Sequence, residues 1–164
     1  MILLALGSNL PHPQIGPPAA VLDAALDELI EAGIRVVQVS RYYASAPVPA
    51  SDQPWFVNAV AEIACDLEPE ELLQLLHRVE AIFGRERGEA NAARTLDLDL
   101  LAYNGEITAP DEHLQLPHPR MAERAFVVLP LRDLAPDWRH PVCGKTAREM
   151  AAALPEDQEI QPLV

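Results

Sequence analysis

Thr95-Leu-Asp-Leu-Asp-Leu-Leu-Ala-Tyr103 alternates with period two, as a strand does when one face lies in a core. Asn104-Gly105 follows, a two-residue hairpin signal leading into Glu106-Ile107-Thr108. Working back, Leu72, Leu73, Leu76, Val79, Ile82 and Phe83 form a broad apolar stripe at helical spacing, with Pro69 at its first turn and Gly84 at its end. Phe56 to Ala64 has strand character, and Ile34 to Val39 reads as a strand that can continue to Tyr43. Val21, Leu22, Ala25, Leu26, Leu29 and Ile30 predict a helix closed by Gly33, and Ile2 to Leu6 is a short buried strand closed by Gly7-Ser8-Asn9. The resulting order is β-α-β-β-α-β. It predicts an α+β, ferredoxin-like sandwich, an antiparallel sheet with two helices on one face and an open face available to a ligand. Beyond it lie a proline-flanked turn at Leu116 to Pro119, a helix through Met121 to Leu134 and a last helix near Thr146 to Leu154, a small C-terminal extension.

The chain has 164 residues, with 49% hydrophobic and 23% charged. This is the size and composition of a single folded domain, taken as residues 1–164, that needs no disulfide or structural metal. Acidic residues number 25 against 12 Lys plus Arg, a formal net charge of −13. That excess argues against a general nucleic-acid binder or an anionic-membrane binder, since a phosphate surface would be repelled. A small phosphate ligand held by a local arginine cluster stays compatible with it, and 11 of the 12 cations are Arg. No stretch approaches a membrane span, and the N-terminus lacks a basic leader region, so a soluble, cytoplasmic protein is expected. Cys65 and Cys143 form no metal-type pair.

The most informative chemistry lies in Arg94-Thr-Leu-Asp-Leu-Asp99. On a strand, Asp97 and Asp99 share one face, with backbones roughly 6–7 Å apart, so their oxygens can converge on one divalent ion or bridge two. Mg²⁺ favours such carboxylates completed by water and phosphate oxygens. A solvent-facing strand edge protected by charge is the plainer alternative. Arg85, Arg87 and Arg94 border the pair in a segment containing Gly84 and Gly88. Guanidinium forks beside a dicarboxylate suit a polyphosphate with bound metal. His118 sits in a stiff turn between Pro117 and Pro119, with Arg120 and Arg124 nearby, and a phosphate contact there is plausible. Phe56 and Asn58 share a strand face, where they could stack on and hydrogen-bond a flat heterocycle, although taken alone the segment reads better as an aromatic core residue and a capping Asn. Gly144-Lys145-Thr146 ends like a phosphate-binding loop, but Arg139 stands where the first glycine is required.

Together these segments resemble the 6-hydroxymethyl-7,8-dihydropterin pyrophosphokinase family of folate biosynthesis. The stretches that carry the resemblance are Leu-Gly-Ser-Asn-Leu (6–10), Ser-Ala-Pro-Val (45–48), Gln-Pro-Trp-Phe-Val-Asn-Ala (53–59), Gly-Arg-Glu-Arg (84–87), Arg-Thr-Leu-Asp-Leu-Asp (94–99) and Pro-His-Pro-Arg-Met-Ala-Glu-Arg-Ala-Phe (117–126). The resemblance implies transfer of the β,γ-diphosphate of ATP to the pterin hydroxymethyl oxygen, with release of AMP and use of two Mg²⁺ ions. It implies that Asp97 and Asp99 hold the metals and that Arg85, Arg87, Arg94, His118 and Arg124 contact the triphosphate. Glu80 and Leu100 are placed with the nucleotide. Phe56 and Phe126 would sandwich the pterin, while Asn58 and the Ser45–Val48 loop read its polar edge. A monomer is expected, with these two small molecules as its partners. Departures exist: where many relatives carry Arg-Trp-Gly-Pro-Arg, this chain has Ala90-Asn91-Ala92-Ala93-Arg94, one Arg and one Trp fewer. Phe56 stands where Tyr is frequent, and His77 where some relatives have Gln.

The same element order also serves regulatory and RNA-binding modules that do no chemistry. A nucleotide sensor would bind ATP without pterin-dependent AMP, and a simple kinase would release ADP.

Overall fold

The computed structural model describes residues 1–47, 49–84 and 95–163. Its sheet is built around β1 (Ile2–Ser8), which pairs antiparallel with β4 (Phe56–Ala64) on one side and β5 (Asp97–Tyr103) on the other. The far side of β4 is shared by β2 (Arg35–Val39), opposite residues 61–64, and β3 (Tyr43–Ser45), opposite residues 56–58. A short β6 (Ile160–Pro162) adds to β3, completing the order β5-β1-β4-β3-β6. All these pairings are antiparallel, as the ferredoxin-like plan requires.

Helices α1 (Pro18–Glu31) and α2 (Pro69–Ile82) cover one face. Leu4, Leu6, Ala61, Ile63, Leu98 and Leu100 point into that layer and meet Leu22, Leu29, Leu72 and Leu76. Alternation sends Leu3, Ala5 and Val60 to the other face, where they pack on α3 (Ala125–Leu134) and α4 (Ala147–Ala152). This is why every residue of β1 is buried. The face expected to be open is therefore half covered, and only the end nearest Gly7 and Asp97 stays accessible. A bulge in β5 opposite Leu3 and Leu4 turns both Leu101 and Ala102 onto the α3 face.

Local chemistry explains most element ends. Pro69 occupies the first turn of α2, as expected, and a capping box closes it: Glu68 N–H donates to Glu71 Oε1 at 3.1 Å. Thr146, part of the apparent phosphate loop, is instead the N-cap of α4, paired reciprocally with Glu149 at 3.0 and 3.1 Å. Leu73 is only half-buried and Ile82 is 60% exposed, so the stripe on α2 is narrower than its periodicity suggests. Ile30, at the end of α1, is likewise exposed.

Five expectations are corrected. The first strand is not closed at Leu6: Gly7 and Ser8 continue β1, paired with Asn58 and Val57 on β4. The strand from Ile34 does not run to Tyr43: Ser40 breaks it, its Oγ accepting from Val60 N–H at 3.0 Å while its own N–H donates to Val60 O. Asn104 and Gly105 do make the turn, both at positive φ. No strand follows, because Thr108 bonds to Leu116 instead. The helix from Met121 to Leu134 is a 3₁₀ turn at Met121–Glu123 and then α3, interrupted by Arg124 in an extended conformation. β5 begins at Asp97, not Thr95.

Candidate active site

Gly7 is the cross-strand partner of Asn58 on β4 and of Asp97 on β5. Residues paired in this way project from the same face. Asp99 lies opposite Ala5, and Phe56 opposite Ser45 on β3. The backbone register alone thus gathers Ser45, Phe56, Asn58, Asp97 and Asp99 on the uncovered half of the sheet. They line a cleft of about 970 Å³. Its remaining walls come from His118, Arg124 and Phe126, from the Ala46-Pro47 loop, and from residues 153–158 of the C-terminal tail.

On the β4 side, Asn58 Nδ2 donates to Ser45 Oγ at 2.5 Å, and both residues are buried. With its amide nitrogen committed to Ser45, Asn58 turns Oδ1 toward Gly7. Asn9 ties the end of β1 to the loop before β4, its Nδ2 donating to Gln53 Oε1 and Pro54 O at 3.1 and 3.2 Å. On the β5 side, Glu80 rises from α2 beneath the strand and its Oε2 accepts from Leu98 N–H at 2.9 Å. Glu80 and Leu100 are buried in the layer under the sheet, away from the cleft lining. That placement gives Glu80 a hold on the strand that carries both aspartates.

His118 N–H donates to Leu101 O at 2.8 Å, anchoring its loop along the outer edge of β5. Its Nδ1 accepts from Arg120 N–H at 3.2 Å, leaving Nε2 as the available donor. Desolvation, followed by the positive field of Arg124, holds its pKa below the ordinary 6.5 against an opposing pull from Asp97. The Arg124 guanidinium stacks 5.5 Å from the Phe126 ring centre.

Of the residues singled out in the sequence, Ser45, Phe56, Asn58, Asp97, Asp99, His118, Arg124 and Phe126 meet at this one cleft. Val48, Arg85, Arg87 and Arg94 lie outside the described residues. Sequence reasoning missed the role of Gly7 as the gap between the two halves, and it missed the contribution of the tail. Glycine at a strand end does signal close approach, but the tail carries no pattern that would have flagged it.

Asp97 and Asp99 supply hard oxygen donors at the cleft, and among the described residues no group of three or more His, Cys, Asp or Glu forms a closed metal cage. Two carboxylates with open coordination positions fit a divalent cation of the Mg²⁺ type, which retains water and phosphate oxygens, better than a structural zinc.

An antiparallel α+β sandwich with a dicarboxylate beside an amide-and-aromatic pocket carries groups that suit a small-molecule phosphotransfer protein. Residues 3–136 match the family model for 7,8-dihydro-6-hydroxymethylpterin-pyrophosphokinase, and the chain belongs to this family of diphosphotransferases. It is 45% identical over 154 residues to the 2-amino-4-hydroxy-6-hydroxymethyldihydropteridine pyrophosphokinase of Pseudomonas aeruginosa, covering 94% of this chain and 91% of that one. The enzyme of the same name from Methylorubrum extorquens is 43% identical over 152 residues, covering 92% and 91%. The crystal structure of wild-type HPPK-DHPS from Plasmodium falciparum bound to SDX-DHP shares the fold, with a TM-score of 0.67 at 14% identity. That match covers 92% of this chain and 43% of the larger one. No described helix is long and apolar enough to cross a membrane.

Proposed function

We propose that this cleft transfers the β,γ-diphosphate of ATP to the hydroxymethyl oxygen of 6-hydroxymethyl-7,8-dihydropterin. The hydroxymethyl oxygen bonds to the β-phosphorus, the bond from that phosphorus to the oxygen bridging it to the α-phosphate breaks, AMP leaves, and the hydroxyl proton passes to solvent. The observation that carries this reading is the register around Gly7, which sets an amide-and-aromatic pocket on β4 beside a dicarboxylate on β5.

The β4 side suits the pterin. Asn58 Oδ1, aligned by the Ser45 hydroxyl, accepts from ring N–H or amino groups, and Phe56 and Phe126 take the flat faces of the ring. The β5 side suits the phosphates. Asp97 and Asp99 would hold two Mg²⁺ ions, which when bound neutralise phosphate oxygens and orient the transferred group. The neutral imidazole of His118 donates from Nε2 to a phosphate oxygen, and Arg124 adds a charged fork. Arg85, Arg87 and Arg94 would complete the phosphate contacts, and the Ser45–Val48 loop would read the pterin edge. None of these residues forms a covalent intermediate. Positioning and electrostatics supply the rate, as is general for phosphoryl transfer. Glu80 serves the nucleotide indirectly, through the position of β5. The protein acts as a cytoplasmic monomer.

The test is product analysis with ATP and Mg²⁺, with and without the pterin. Pterin-dependent AMP is the expected product. ADP would mean a single-phosphoryl kinase, and tight ATP binding without turnover would mean a nucleotide sensor.

A further inference from the structure

The family match ends at residue 136, yet the chain beyond it builds part of the cleft wall. Ala153, Leu154, Pro155, Asp157 and Gln158 all face the cavity. Two sets of bonds hold this tail in place. Along the sheet, Ser45 pairs with Ile160, Ala46 N–H donates to Glu159 O at 3.0 Å, and Leu163 N–H donates to Tyr42 O at 2.9 Å. Across the cleft, Gln158 Oε1 accepts from Ala125 N–H at 2.9 Å, while Gln158 Nε2 donates to Glu123 O, also at 2.9 Å.

The second set answers a specific local need. Ala125 opens α3, its residue is almost fully buried, and the N-cap Arg124 makes no side-chain capping bond. A helix start leaves its first N–H groups without intrahelical acceptors. Gln158 supplies one of those acceptors from 33 residues further along the chain. By also binding Glu123 O, it grips the backbone on both sides of Arg124, the residue whose extended conformation separates the 3₁₀ turn from α3. Gln158 is half-buried, whereas Glu156, Asp157 and Glu159 around it are exposed. A smaller cavity of about 280 Å³ beside the main one is bordered by Ser45, Ala46, Pro47, Phe126 and Gln158, so the clamp adjoins the proposed pterin half rather than the aspartates.

We propose that Gln158 is a positioning residue for the acceptor substrate: it locks Arg124 and Phe126 to the Ser45-Ala46 loop through the C-terminal strand. The inference rests on the pyrophosphokinase reading for the identity of the acceptor. The Gln158 side chain fixes the Arg124–Phe126 segment to a tail whose backbone is paired with Ser45 and Ala46, so its loss lets the segment that covers a face of the ring move away from the loop that reads its edge.

The experiment compares wild type, Gln158→Met and Gln158→Glu in the full chain. Q158M keeps the volume and loses both bonds, while Q158E keeps an acceptor for Ala125 N–H. Steady-state AMP release should show the pterin KM raised about fivefold or more in Q158M, with the ATP KM changed less than about twofold. Q158E should fall between Q158M and wild type, and should carry the comparison alone if Q158M does not fold. Amide exchange at Ala125 should accelerate in Q158M, a readout independent of turnover. An unchanged pterin KM, or an equal rise for both substrates, would overturn the proposal. If wild type releases no AMP, the functional reading has failed, and equilibrium pterin binding decides the inference: weaker binding to Q158M sustains it, while equal binding or none to wild type overturns it.

Discussion

Gly7 and Asn58 face each other across β1 and β4 so closely that a methyl group would press on the amide: a Cβ on Gly7 would stand 3.1 Å from Asn58 Oδ1. Asn58 cannot retreat cheaply, because its other amide atom is bound to Ser45 at 2.5 Å and the side chain is buried. Gly7→Ala should therefore displace the amide proposed to read the pterin. We expect a stability loss of about 1 kcal/mol, typical of mild overpacking, and a larger effect on pterin KM than on ATP KM. Thermal unfolding and steady-state kinetics check both.

Asp97→Asn and Asp99→Asn should each lower kcat by at least ~100-fold, as expected for losing a charged group in phosphoryl transfer, while circular dichroism stays unchanged. Chelation of divalent cations should abolish turnover of the wild type, and added Mg²⁺ should restore it. Full activity in both variants would remove the dicarboxylate from the mechanism.

His118 is expected to titrate below 6.5, since desolvation first and Arg124 second disfavour its protonated form. An unfolded chain takes up this proton at higher pH than the folded one. The stability that follows is complete above pH 6.5 and is lost as the pH falls from there through the folded value. NMR titration of the imidazole checks the direction, and Arg124→Ala should move the midpoint up.

Asp133 on α3 accepts from Arg41 Nε at 2.8 Å and from the Tyr43 hydroxyl, joining the helix to β3. Partial desolvation works to raise the Asp133 pKa, but the bonds from Arg41 and Tyr43 outweigh it and hold the carboxyl below its ordinary 3.8. Its stabilisation is thus present above that value and lost as the pH falls through the folded pKa. Tyr43→Phe should cost about 1–2 kcal/mol at neutral pH. The stability gap between wild type and Asp133→Asn should narrow below about pH 4, as read by urea unfolding at several pH values.

Glu80→Ala leaves the buried Leu98 N–H without its carboxylate acceptor, a loss of about 1–3 kcal/mol. Glu80→Gln retains an oxygen there and should cost less. Because β5 carries Asp97 and Asp99, kcat should fall together with stability in the alanine variant. Unaltered stability in Glu80→Ala would show that this bond does not hold the strand.

The sequence by itself determined the order of α1, α2 and the strands they connect, apart from the split of β2 and β3 at Ser40, together with the strand face shared by Asp97 and Asp99 and the one shared by Phe56 and Asn58. Each of these follows from local periodicity: a strand alternates every two residues whatever surrounds it. The signatures at Pro69 and at Asn104-Gly105 were legible for the same reason, since they depend on backbone chemistry within a few residues. Only the tertiary structure decided that Gly7 would separate the two halves of the cleft, because register between β1, β4 and β5 is set by packing on both faces of the sheet. It also placed Glu80 under β5, away from the cleft lining, and made Thr146, already excluded as part of a phosphate loop by Arg139, the cap of α4. β6 and Gln158 carried no readable signal. A three-residue strand is too short for periodicity to register, and a glutamine that caps a helix 33 positions earlier acquires that role only when the chain has folded back across the sheet.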